Sequence, residues 1–84
     1  MSYKIQSILI PTDIFNLKQA KKWLSEHNFK FKKVDQKSEH FMRFRQIDPE
    51  ELKEEGYKIY FTYKLPNKVE YIVAYKKINK IKKK

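Results

Sequence analysis

A chain of 84 residues with 20 lysines and arginines against 10 acids, formally +10 at pH 7, makes one small domain suited to anionic partners. It has no cysteine, which excludes disulfides and thiolate zinc sites and suits a reducing compartment. The longest N-terminal apolar run, Ile8-Leu9-Ile10, is too short for a signal-peptide core or a membrane span, so a soluble protein with no membrane partner is expected.

Residues 3–10 mix apolar and polar side chains as a strand does, and Pro11-Thr12-Asp13 ends it. Asn16 is placed to cap a helix, with Gln19 at the third helical position completing a capping box. Leu17, Ala20, Leu24 and His27 then recur at helical spacing beside Trp23. Lys18, Lys21, Lys22 and Ser25 take the other side, so residues 17–27 form an amphipathic helix laid on an apolar surface through Leu17, Ala20, Trp23 and Leu24. Phe29 and Phe31 alternate with Lys30 and Lys32, predicting a short second strand that ends near Val34. The polar stretch Asp35 to Glu39 reads as a turn. Alternation resumes from His40 to Ile47, with Met42 and Phe44 on one face and Phe41, Arg43 and Arg45 on the other. Asp48-Pro49-Glu50-Glu51 opens a short helix over 49–55, with Asp as cap, Pro at the first position and acids in the first turn. Gly56, the only glycine, suits the left-handed residue past its end.

A hairpin follows, with strands at 57–65 and 68–76 turning at Pro66-Asn67. A two-residue loop would pair Phe61 with Ile72. A three-residue loop pairs Phe61 with Val73, Tyr63 with Tyr71 and Lys64 with Glu70. The second register is preferred, because it gathers Ile59, Phe61, Tyr63, Tyr71, Val73 and Tyr75 on one face and matches Lys64 with an acid. Pro at the first loop position also disfavours the mirror-image turns of two-residue loops. Residues 76–84 form a basic C-terminal tail holding Lys76, Lys77, Lys80, Lys82, Lys83 and Lys84, which leaves residues 1–75 at +4. Such a run can be a nucleic-acid arm, a nuclear localisation signal or a solubilising disordered end.

Arg43-Phe44-Arg45-Gln46 is the most informative segment. The chain holds 18 lysines and two arginines, alongside nine isoleucines, a usage typical of AT-rich coding. Such a bias exchanges Arg for Lys at no cost in charge, so two retained arginines point to a need for the planar guanidinium fork. On a strand they share a face roughly 7 Å apart, near the spacing of successive phosphates. Ion pairing with the neighbouring acidic 48–55 segment explains them equally well. The outer sheet face would combine Arg43, Arg45, Lys58, Tyr60 and Lys64, cations around an aromatic ring as in some single-strand binders, although tyrosines in strands more often serve packing. Trp23 and the phenylalanines read as core. His27 and His40 lack spaced carboxylates or cysteines, so no metal site is expected. No nucleophile elbow, phosphate-cradling glycine loop or paired acids are present, so neither enzymatic activity nor a cofactor is expected.

From Phe15 to Pro49, the pattern Phe15, Leu17, Ala20, Trp23-Leu24, Lys33-Val34-Asp35 and Arg43-Phe44-Arg45-Gln46 resembles a small domain of tailed bacteriophages and large DNA viruses. The resemblance spans less than half the chain and implies a viral origin without implying any chemistry. The expected compartment is then host cytoplasm, host nucleus or virion.

The combined expectation is an α+β fold in the order β-α-β-β-(short α)-β-β, with an antiparallel sheet of four or five strands and one amphipathic helix on one face. Its expected function is non-enzymatic binding of nucleic acid, DNA ahead of RNA, mainly at phosphates. The alternative is a virion structural or protein-interaction module whose basic tail meets an acidic protein or the packaged genome.

Overall fold

In the computed structural model, which describes residues 2–76 apart from the side chains of Gln36 and Lys37, the elements follow the expected order. They are β1 (Ser2–Pro11), α1 (Leu17–Glu26), β2 (Gln36–Lys37), β3 (Phe41–Arg45), α2 (Pro49–Glu54), β4 (Ile59–Lys64) and β5 (Glu70–Lys76). Every pairing is antiparallel and the sheet order is β2-β3-β1-β5-β4, with β1 central and β2 and β4 at the edges.

Register sorts the side chains onto two faces. Ile8 lies opposite Phe44 and Tyr71, and Ile10 opposite Met42, which puts these residues on one face. Ala20 and Leu24 of α1 pack there with Ile8, Ile10, Met42, Phe44 and Val69 as a fully buried cluster. A register shift between Ile5 and Ser7 places Ile5 on that same face, three positions from Ile8, where unbroken alternation would have put them on opposite sides. The extra residue, Gln6, is buried and anchors the exit of β3. Its carbonyl accepts from the amides of Gln46 and Ile47, and its Nε2 donates to the Ile47 carbonyl. On the opposite face α2 forms a smaller core, in which Leu52 and Tyr57 pack on Ala74 beside Ile47.

Both helices begin and end as local chemistry dictates. Asn16 accepts from the Gln19 amide at 2.8 Å while Gln19 Oε1 accepts from the Asn16 amide at 2.9 Å, a complete capping box. Asp48 caps α2 by accepting from the Glu50 amide. At the far ends the two helices share one device: Phe29 and Asn28 donate to the Leu24 and Ser25 carbonyls, and Tyr57 and Gly56 donate to those of Leu52 and Lys53. The left-handed residue is Asn28 (φ 63°) in the first case and Gly56 (φ 93°) in the second. The accompanying apolar contacts are Trp23 stacked on Phe29 and Leu52 beside Tyr57.

Three expectations need correction. Residues 29–34 form no strand. Phe29, Phe31 and Val34 tuck onto the main core as irregular chain, and the edge strand β2 falls at Gln36–Lys37, inside the segment read as a turn. Leu17, on the first turn of α1, is 40% exposed, so the helix seats through Ala20 and Leu24 with Trp23 at the margin. Of the phenylalanines only Phe44 is fully buried, and Phe61 is 40% exposed because it lies on β4, no residue of which joins the cluster under α1. That hairpin adopts the three-residue-loop register, with Phe61 opposite Val73, Tyr63 opposite Tyr71 and Lys64 opposite Glu70.

Candidate nucleic-acid interface

β3 places Arg43 and Arg45 on the face away from α1, opposite Leu9 and Ser7 of β1. Their circumstances differ. Arg45 Nη2 meets Asp35 Oδ2 at 2.9 Å, with the guanidinium side still 44% exposed. The partner is therefore Asp35 at the start of the β2 edge, whereas Asp48, Glu50 and Glu51 of α2 make no ion pair with either arginine. Arg43 forms no ion pair with a described residue, and its Nε is buried without a hydrogen-bond partner among them. A buried donor left unmatched costs about 1–3 kcal/mol.

Beside Arg45 the irregular segment 30–33 closes a groove of about 310 Å³ lined by Lys30, Phe31, Lys32, Lys33 and Arg45. Gln46 fixes this segment: its Oε1 accepts from the Lys30 amide and its Nε2 donates to the Lys30 carbonyl. Phe31 anchors it further by packing on the core, so the lysines point outward and are exposed. Four cations thus converge with Asp35 as the nearby acid, and Arg43 follows two residues along the same strand face. Sequence reading missed Lys30, Lys32 and Lys33 because alternation with phenylalanine looked like a strand whose polar side merely faced solvent. The density of cations over four residues was the available signal.

The remaining expected residues lie elsewhere. Lys58 and Tyr60 share a groove with Pro49, Glu50, Lys53 and Tyr57, so α2 stands over that part of the outer face. Lys64 meets Glu70 at 3.7 Å. β4 is separated from β3 by β1 and β5, three strand spacings or roughly 14 Å. Arg43 and Arg45 therefore form one group and Lys58 and Tyr60 another, while Lys64 lies apart at the far end of β4, in a groove with His40, Phe41 and Lys68. Lys76, assigned above to the tail, belongs to β5: its Nζ donates to the Glu55 carbonyl at 2.9 Å and sits 4.8 Å from the centre of the Tyr57 ring. Lys77, Lys80, Lys82, Lys83 and Lys84 lie outside the described residues.

Near Lys76, the Lys4 ammonium donates to Glu55 Oε1 at 2.9 Å, which raises the Lys4 pKa and lowers that of Glu55. Burial, with a smaller contribution from neighbouring Tyr63, raises the Tyr71 hydroxyl. His27 stacks on Trp23 at 3.9 Å, while His40 approaches Glu39. Among the described residues no three His, Asp or Glu side chains gather as a metal set, and no helix is long and apolar enough to cross a membrane.

On the α1 side, the sheet beyond the helix presents an aromatic surface. Tyr3, Phe61 and Tyr75 contact one another at centroid distances of 5.7–6.2 Å, and Tyr63 meets Tyr71 at 6.4 Å. Tyr3 and Tyr63 are more than half exposed. Compared with protein-family models, curated proteins and solved structures, the chain matches none.

Proposed function

We propose that this protein binds nucleic acid without catalysing a reaction, taking hold of phosphates along the β2–β3 edge and through its lysine-rich residues 77–84. The observation that carries the reading is the convergence of Lys30, Lys32, Lys33 and Arg45 on one groove, with Arg43, which pairs with no described acid, alongside. A phosphate between these groups would gain bidentate hydrogen bonds from a guanidinium fork and point charges from the lysines. The Lys30 backbone is fixed by Gln46, so binding would have to order the exposed lysine side chains but not the chain that carries Lys30. Backbone contacts of this kind confer affinity and orientation but little sequence preference. DNA stands ahead of RNA only through the resemblance to DNA-virus domains.

The test begins with affinity for duplex DNA, single-stranded DNA and RNA across a salt series, since phosphate neutralisation makes log affinity fall linearly with log salt. The double variant Arg43→Lys/Arg45→Lys keeps the charge and removes the forks. We expect a several-fold loss of affinity on all three polymers with a melting temperature close to wild type, because an exposed pair such as Arg45–Asp35 is worth about 1 kcal/mol at most. Wild-type affinity in that variant would remove both arginines from the interface. Absence of salt-dependent binding to any of the three polymers would end the nucleic-acid reading and leave an acidic protein as the partner.

A further inference from the structure

Among the described residues β4 is an edge strand with little defence against pairing. All six of its residues are exposed, its ladder with β5 runs without a bulge, and it contains no proline and no charge before Lys64 at its end. Natural edges of this length are normally blunted by such devices. The opposite edge is only a two-residue strand.

The hairpin closure fixes which backbone groups β4 offers. The Leu65 amide donates to the Val69 carbonyl, so Leu65 and Val69 are a bonded pair, and alternation makes Tyr63, Phe61 and Ile59 the bonded partners within the hairpin. The amides and carbonyls of Tyr60, Thr62 and Lys64 therefore point outward. An antiparallel partner strand must present the same spacing. A second β4 does so, with Thr62 opposite Thr62 on a two-fold axis and Tyr60 opposite Lys64 on either side.

We infer that the protein forms a homodimer by antiparallel β4–β4 pairing centred on Thr62. The side-chain matches in this register are favourable throughout. On the aromatic face, Phe61 of each copy meets Tyr63 of the other. On the opposite face, Lys64 lies across from a Tyr60 ring, and no like charges face each other. Tyr60, Phe61 and Tyr63 are 42%, 40% and 54% exposed. Each therefore has on the order of 100 Å² to cover. With Ile59, Thr62 and Lys64 the pairing would bury at most on the order of 1,000 Å² over both copies, the size of a weak, reversible interface. The two sheets would become one and the two aromatic surfaces would meet. Since both chains are strongly cationic, association should strengthen as salt screens their repulsion, opposite to nucleic-acid binding.

Sedimentation of the wild-type chain at about 100 μM in 50 mM and 500 mM salt reads the mass directly. Twice 10.4 kDa, with the dimer fraction rising with salt, is the expected result. Thr62→Lys and Thr62→Glu each put like charges on the two-fold axis and should sediment as folded monomers, with far-UV circular dichroism unchanged. Mixed in equal amounts, they should recover the dimer. The Thr62 side chain is exposed, so neither change threatens the fold. A wild-type monomer at both salt concentrations overturns the inference. So does a dimer that survives the separate substitutions, which would place the contact elsewhere. Should the wild type stay monomeric while Phe61→Leu weakens its binding to oligo(dT), the aromatic face serves base stacking instead. None of these outcomes depends on the β2–β3 cations.

Discussion

Among the described residues three hold a left-handed backbone: Asn28, Gly56 and Lys68, with φ of 63°, 93° and 74°. Glycine adopts this conformation freely and asparagine adopts it readily, whereas a lysine there costs about 1–2 kcal/mol. Lys68 occupies the third loop position of the hairpin, where its amide donates to Leu65 and closes the turn over Pro66 and Asn67. Asn67 Oδ1 accepts from the Val69 amide and stiffens the loop further. Lys68→Gly should therefore stabilise the protein by about 0.5–1 kcal/mol, after subtracting the greater freedom of glycine in the unfolded chain. A denaturant melt that shows no gain, or a loss, would mean that the hairpin tolerates this residue without strain. The charge lost is a single one, in a groove with Phe41 at the end of β3 away from Arg45, so affinity for nucleic acid at a given salt should change little.

At the scale of elements, α1 is held by two small contact points. Ala20 and Leu24 are fully buried, while Leu17 and His27 at either end of the same stripe face solvent. Leu24→Ala should cost about 2–5 kcal/mol by opening a cavity between α1 and the sheet. That is a large share of the total for a domain of this size, roughly 4–13 kcal/mol. Lys22→Ala on the outer side should stay within about 0.5 kcal/mol. Equal losses for the two in urea melts would refute the packing described here. Where elements are set by local chemistry, their position was legible in the sequence: the Asn16 capping box, the Asp48-Pro49 start, Gly56 and the hairpin register each follow from nearby side chains. Two features were not legible, because tertiary contacts decide them. Residues 29–34 alternate as a strand would, yet Gln46 captures the Lys30 backbone and Phe31 is drawn to the core, so β2 forms later as a short edge beside Arg43. The β1 bulge likewise answers to a distant demand, the buried anchoring of residues 46–47 on Gln6. The groove inherited the first error, since its lysines sit on the segment assigned to a strand. Arg43 and Arg45 could be placed because period-two alternation in β3 holds.

Across the whole molecule the two edges of the sheet have unlike chemistry. One carries the cations of residues 30–33 and β3, and the other carries an aromatic strand whose outer backbone is unpaired among the described residues. A dimer through β4 would set the two basic edges at the far ends of one sheet, so that a long polyanion could touch both and gain avidity. Residues 77–84 add five further lysines, and removing them takes the chain from +10 to +5. The described core lies entirely before them, between Ile5 and Ala74, so the shortened chain should melt as the full one does. If about four of those lysines neutralise phosphates, the slope of log affinity against log salt on duplex DNA should shrink by roughly 3–4 units. Truncation also lowers the charge repulsion between copies, so self-association at 50 mM salt should rise as nucleic-acid affinity falls. An unchanged salt slope would assign the phosphate contacts to the groove alone. A fall in both properties together would mean that residues 77–84 take part in the contact between copies, which a β4-only interface does not allow.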